Sequence, residues 1–135
     1  MIGAGAAGSA AVATLLAHGF AGRLLWIDQE RQPAYDRTAL SKFVIAGQMA
    51  PDEVPALLEA DALRKGQLER KHGKVRSLNS QKRQLMMADG QQITYDACLL
   101  ASGGKALRPD IPGVDLPGVF TLRSREDAAQ VLDRS

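Results

Sequence analysis

The sequence predicts an incomplete α/β fold, a parallel sheet with helices plus a small antiparallel β-meander. Three observations predict it. The glycine turn Gly3-Ala4-Gly5-Ala6-Ala7-Gly8 opens directly into an apolar, small-residue helix. A short apolar run then ends in acids, at Asp28 and Glu30. From Lys74 onward the period shortens into brief strands separated by turn residues.

Gly3 permits a tight turn out of a first strand, Gly5 lets a pyrophosphate approach the backbone, and Gly8 lets helix and strand pack closely. The N–H groups of Ala6, Ala7 and Gly8 and the positive end of the helix dipole would then face phosphate. Only Met1 and Ile2 precede Gly3, whereas strands normally run about 5–6 residues, so the expected first strand is cut short. Ala10 to Ala17 continue the helix, and His18-Gly19 stops it. Arg23-Leu24-Leu25-Trp26-Ile27 reads as a strand. Asp28 and Glu30 follow at roughly the 20-residue spacing of an acid that holds a ribose hydroxyl pair, and spacing alone does not separate them. Together these elements predict a Rossmann-like dinucleotide-binding βαβ unit.

Gln32 to Arg37 read as a polar loop, and residues 38–46 as a short helix ending at Gly47. A second helix is expected over residues 52–65, with Val54, Leu57, Leu58, Ala62 and Leu63 inward and Pro51 and Pro55 near its start. The basic run from Arg64 to Lys74 reads as a solvated face. Strands are expected at residues 75–78, 84–87 and 92–95, with turns at Asn79-Ser80-Gln81 and Asp89-Gly90. Residues 97–101 read as a continuous apolar strand of the parallel-sheet kind, ended by Ser102-Gly103-Gly104.

Composition bounds the remainder. At 135 residues one domain is expected, and an apolar content of 45% suffices for a core. The 17 basic and 15 acidic side chains nearly balance, and aromatic residues for base stacking are sparse, so nucleic acid is not an expected partner. Cys98 is the single cysteine, which excludes an internal disulfide and a CxxC centre. Its apolar neighbours favour a packing thiol over a nucleophile. No apolar stretch reaches the roughly 18 residues of a membrane span. The start lacks a basic n-region, so a cytoplasmic protein is expected. No metal site is expected.

Three blocks in order resemble the FAD-dependent pyridine nucleotide–disulfide oxidoreductases, and more narrowly the ferredoxin/rubredoxin reductase group that includes the apoptosis-inducing-factor-like proteins. They are the glycine turn, then Glu30 with Ala34-Tyr35-Asp36-Arg37-Thr38-Ala39-Leu40-Ser41-Lys42, and then Asp89-Gly90 through Tyr95-Asp96 to Leu99-Leu100-Ala101-Ser102-Gly103-Gly104. The last continues through Ile111-Pro112-Gly113 and Leu116-Pro117-Gly118 to Leu122-Arg123-Ser124. The Tyr-Asp-Arg to Leu-Ser-Lys block is more specific than the glycines.

The resemblance implies that Gly3, Gly5, Ala6, Ala7 and Gly8 hold the FAD pyrophosphate. Glu30 would hold the adenosine ribose, fitting that place better than Asp28 by its offset from Arg37. Arg37 would meet a phosphate or the ribityl chain, and Lys42 would lie near the reactive side of the flavin and tune it. The backbone of Val75 would meet the adenine, and Ala101, Ser102 and Gly103 would line a second cofactor turn. Each has a bland alternative: Arg37 and Lys42 as surface charges, Glu30 as a loop acid, Val75 as core.

Ser102 stands where threonine is usual. Ala106-Leu107 stand where Pro-Arg is common, so a cation expected there is lost or comes from Arg108. The implied domains are residues 1–115, the first segment of an FAD-binding domain, and 116–135, the start of an NAD(P)H-binding domain. That start would comprise a strand at 119–122 and a helix at 127–132. The implied activity is hydride uptake from NAD(P)H by FAD, followed by electron transfer to a ferredoxin- or rubredoxin-type protein. No second glycine fingerprint is present, so the chain alone is expected not to turn over. The absent cysteine pair points away from the disulfide-reducing branch. A non-catalytic nucleotide-binding fragment and a flavin monooxygenase are the alternatives.

Overall fold

The computed structural model describes residues 1–58 and 68–134. They form two compact units, one of Met1–Ala34 with Leu57–Gly103, the other of Tyr35–Ala56 with Gly104–Ser135.

The first unit is built on parallel pairing. Helix α1 (Ala6–Ala17) ends at His18, and Gly19 follows at φ +66°, the left-handed stop that glycine tolerates best. Strand β1 (Leu24–Asp28) pairs in parallel with β2 (Leu68–His72), Leu24 opposite Leu68 and Asp28 opposite His72. On the other side of β1, Ile2 bridges Ile27 and also Leu100, both in parallel. Gly3 N–H donates to the Ile27 carbonyl at 2.8 Å, and Ala101 N–H donates to the Ile2 carbonyl at 2.8 Å. The spatial order is therefore β2, β1, Ile2, Leu100. In chain order these are the third, second, first and last segments, so the order reverses between Ile2 and Leu100.

Alternation along β1 sorts its side chains between two layers. Leu24 and Trp26 join Ala4, Val12 and Leu16 beneath α1. Leu25 and Ile27 join Leu85 and Met87 of an antiparallel meander. That meander consists of β3 (Val75–Asn79), β4 (Gln84–Met87) and β5 (Gln92–Thr94), in that order. Burial on both faces explains why β1 is continuously apolar.

The second unit packs Tyr35, Ala39, Leu40, Val44 and Val54 around Ala128. Its helix α2 (Arg125–Leu132) starts at a capping box. Ser124 Oγ accepts from Asp127 N–H at 3.1 Å, and Asp127 Oδ2 accepts from Ser124 N–H at 2.8 Å.

Four sequence expectations are corrected. Pro51–Glu53 is a single 3₁₀ turn, not the start of a helix over 52–65. Val54, ahead of Pro55, is driven to ψ 122°, and Ala56 pairs with Tyr35 instead. Residues 59–67, with Ala62 and Leu63, lie outside the described residues. The basic run is no simple solvated face, because Leu68–His72 is β2. Residues 119–122 form no strand among the described residues. Of residues 97–101 only Leu100 makes a bridge, and Leu99 and Leu100 remain exposed. The ladder is short because Ile2, its neighbour, is the last residue before the glycine turn. The expected short helix at 38–46 is real, but its centre, Leu40–Val44, is a π turn.

Candidate functional site

The three glycines of the opening turn meet three different constraints. Gly3 has φ +98°, and a Cβ there would lie 2.2 Å from the Ala101 carbonyl oxygen and 3.0 Å from Ser102 Cα. The glycine turn and the Ala101-Ser102-Gly103 turn are thus pressed together at the point where the strand order reverses. A Cβ on Gly8 would lie 2.1 Å from the Gly3 carbonyl oxygen, so α1 can sit this close to the first strand only without a side chain. Gly5 is the opposite case: its φ of −76° suits any residue, and a Cβ would meet nothing within 4 Å. Open space at Gly5 leaves the backbone approachable by a ligand. Gly5 is also the N-cap of α1, with no side-chain capping bond and no acid in the first turn. Ala6, Ala7 and Gly8 follow at this uncapped, positive helix end, which suits an anion.

Trp26 joins this site without a sequence signal that marks it. Its indole Nε1–H donates to the Gly3 carbonyl at 2.9 Å from a fully buried position in β1. A lone tryptophan in a strand offers no sequence signal for that contact, since the donor's target depends on how α1 and the turn fold back.

At the end of β1 the two acids part. Asp28 is buried, with Oδ2 3.4 Å from Arg70 Nη2. Glu30, partly exposed, follows in the loop, and its backbone carbonyl accepts from Arg70 at 3.2 Å. Because Gly3 N–H bonds the Ile27 carbonyl, this loop leaves the sheet beside the glycine turn. Val75 opens β3 opposite Met87 and packs against the Ile27–Leu85–Met87 cluster, so its side chain belongs to the core. Cys98 is half-buried against the same cluster, in keeping with a packing thiol. Ser102 and Gly103 are exposed beside Ala101, and Gly103 has φ +69°.

In the second unit, Arg37 precedes one helical segment and Lys42 lies within it. Asp36 Oδ1 accepts from Thr38 N–H at 2.9 Å and starts that segment. Hydrogen bonds from Thr38, aided by the charge of Lys42, hold the Asp36 carboxyl below its ordinary value of 3.8. Arg37 lies over the Tyr35 ring at 5.2 Å, and its Nη1 donates to the Arg123 carbonyl at 2.9 Å. Arg125 covers Tyr35 at 4.2 Å. Tyr35 and Asp36, read in the sequence as part of a cofactor motif, therefore also organise the local fold. Lys42 is exposed on the π turn. Arg108 bonds Asp115 at 3.1 Å within its own exposed loop.

Strand order, glycine packing and an open helix N-terminus define a Rossmann-type nucleotide-binding domain. The family model for pyridine nucleotide-disulphide oxidoreductases matches residues 1–134, and the chain belongs to that family. It is 40% identical over 129 residues to the ferredoxin–NAD(+) reductase component of the biphenyl dioxygenase system of Paraburkholderia xenovorans strain LB400, covering 95% of this chain and 31% of that protein. The crystal structure of the ferredoxin reductase for the CYP199A2 system of Rhodopseudomonas palustris superposes with a TM-score of 0.83 at 27% identity, covering 98% of this chain and 33% of that one. The reductase in the covalent putidaredoxin reductase–putidaredoxin complex gives 0.76 at 25% identity, covering 98% and 32%. The chain spans about a third of the length of these relatives.

Proposed function

We propose that this chain is the FAD-binding portion of an NAD(P)H-dependent flavoprotein oxidoreductase serving a ferredoxin- or rubredoxin-type iron–sulfur protein. The observation that carries the reading is the division of labour among Gly3, Gly5 and Gly8. Two of them are sterically compelled to be glycine, and the third faces open space at a bare helix N-terminus, at the sheet's switch point.

The N–H groups of Ala6, Ala7 and Gly8 would hold the pyrophosphate over Gly5, with Gly3 shaping the turn. Glu30 would accept from the adenosine ribose, and the Val75 backbone would meet the adenine. The backbone of Ala101, Ser102 and Gly103 would line the neighbouring turn. The resemblance assigns Arg37 to a phosphate or ribityl contact and Lys42 to the flavin. A cation such as Lys42 favours negative charge on a reduced ring, which makes it the tuning residue of this set. When bound, FAD supplies two-electron uptake from NAD(P)H and one-electron delivery to the acceptor.

Residues 1–115 are proposed as the first segment of the FAD domain and 116–135 as the start of the NAD(P)H domain, in a cytoplasmic protein. A ferredoxin-type partner is supported by the names of the relatives, which are reductases of such proteins.

Purified chain mixed with FAD and desalted tests the reading. Retained flavin absorbance at one equivalent, with NADH oxidation no faster than for free FAD, is the expected result. A colourless protein would support a non-catalytic fragment instead, and enzyme-like NADH oxidation would refute the expectation that the chain alone cannot turn over.

A further inference from the structure

We propose that Arg70 is a positioning residue that makes Glu30, and not Asp28, the carboxylate presented to the adenosine ribose. The inference rests on the nucleotide-binding reading above.

Two acids stand two residues apart at the end of β1, and either could bond a sugar diol. The strand beside them decides between the two. In the parallel register Trp26 is opposite Arg70 and Asp28 opposite His72, so side chains 26, 28, 70 and 72 share one face. Arg70 Nη2 lies 3.4 Å from Asp28 Oδ2, with the two side chains only 26% and 9% exposed. The same nitrogen donates to the carbonyls of Glu30, at 3.2 Å, and Gln32. His72 Nε2 meets the Gln29 carbonyl at 3.1 Å, and Gly73 N–H donates to the Asp28 carbonyl at 2.8 Å.

The consequence is twofold. Asp28 is a buried carboxylate whose charge is matched by Arg70, and surrendering that partner to a sugar hydroxyl would leave the guanidinium poorly compensated. The backbone of residues 28–32 is pinned at four carbonyls, three by β2 and one by Gly73 just past it, which fixes where the loop leaves the sheet and carries Glu30. The two N–H groups of Arg70 Nη2 are shared among the Asp28 carboxylate and the carbonyls of Glu30 and Gln32, and the shorter stem of lysine would not carry its ammonium to the same point.

Calorimetric titration of the full chain with ADP and with 2′-deoxy-ADP separates this role from general stability. The wild type should prefer ADP by roughly tenfold, the size of one hydrogen bond to a charged acceptor. Glu30→Gln should bring that preference close to unity, and this arm tests the ribose reading itself. Arg70→Met should erase the preference too, while 2′-deoxy-ADP affinity stays within about threefold, since the phosphate contacts lie on the glycine turn.

A purely structural role would weaken both nucleotides equally and leave the ratio intact. A ratio sensitive to Glu30→Gln but unchanged in Arg70→Met overturns the proposal for Arg70 alone. A wild-type ratio of one, or one insensitive to Glu30→Gln, overturns the ribose reading and this inference with it. Should Arg70→Met fail to fold by circular dichroism, Arg70→Lys decides: a reduced ratio supports the proposal, and a wild-type ratio refutes it.

Discussion

Gly5 and Gly8 lie three residues apart and obey opposite constraints, which makes them separable by experiment. Gly8→Ala places a methyl group against the Gly3 carbonyl oxygen, 2.1 Å from the ideal Cβ position. Overpacking against backbone should cost about 1–3 kcal/mol in denaturant unfolding. Gly5→Ser meets no protein atom, and serine is a good N-cap, so stability should stay within about 1 kcal/mol of wild type. Its hydroxyl would nevertheless compete for the N–H groups that face the phosphate, and FAD affinity should fall at least about tenfold by titration. Equal FAD binding by Gly5→Ser would show that the open space is not the ligand's. Trp26 completes the residue-scale account. As the only tryptophan, bonded to the Gly3 carbonyl, it should lose fluorescence in proportion to bound FAD.

At the scale of elements, the segment after Asp36 shows how a motif can serve fold and function at once. Asp36 caps the first turn through Thr38, and the chain then widens into i→i+5 bonds, Ile45 N–H to Leu40 O and Gln48 N–H to Phe43 O. The Asp36 carboxyl titrates lower in the folded chain than in the unfolded one. Its contribution is therefore fully present above the ordinary value of 3.8 and is lost as pH falls through the depressed folded value. Asp36→Ala should unfold at lower denaturant than wild type at neutral pH, and the gap should close on acidification. A gap that persists well below the carboxylate range would show that packing, not the charged cap, is responsible.

The whole molecule is where the switch point exists. The glycine turn and the Ala101 turn belong to segments about a hundred residues apart in the chain, brought together where Ile2 bridges both Ile27 and Leu100. A ligand binding the folded chain alone adds stability by mass action, about 2.7 kcal/mol at a hundred times its dissociation constant. FAD should accordingly raise the unfolding temperature. FMN, which lacks the adenosine monophosphate portion and so has no pyrophosphate bridge, should raise it far less at equal concentration. Equal shifts would place the binding energy outside the glycine turn.

The amino-acid sequence by itself determined the glycine turn, α1, β1 and the three-stranded meander. Their signals are local: a glycine turn opening a small-residue apolar run, a short apolar strand run, and turn residues between brief strands. The Rossmann-like class and the family followed from those signals and from the Tyr35 to Lys42 block. Only the tertiary structure decided the rest. Leu68–His72 looks like a polar run, yet parallel pairing with β1 makes it a strand and turns Arg70 toward Asp28. Pro55 outweighed the helical pattern before it through the backbone of Val54. The glycine pattern assigns Gly3, Gly5 and Gly8 different duties, and the fold supplies the partners that enforce two of them, Ala101 at Gly3 and the Gly3 carbonyl at Gly8. Pairings and packing partners far apart in the chain are set by the global minimum of burial and hydrogen bonding, which no local window contains.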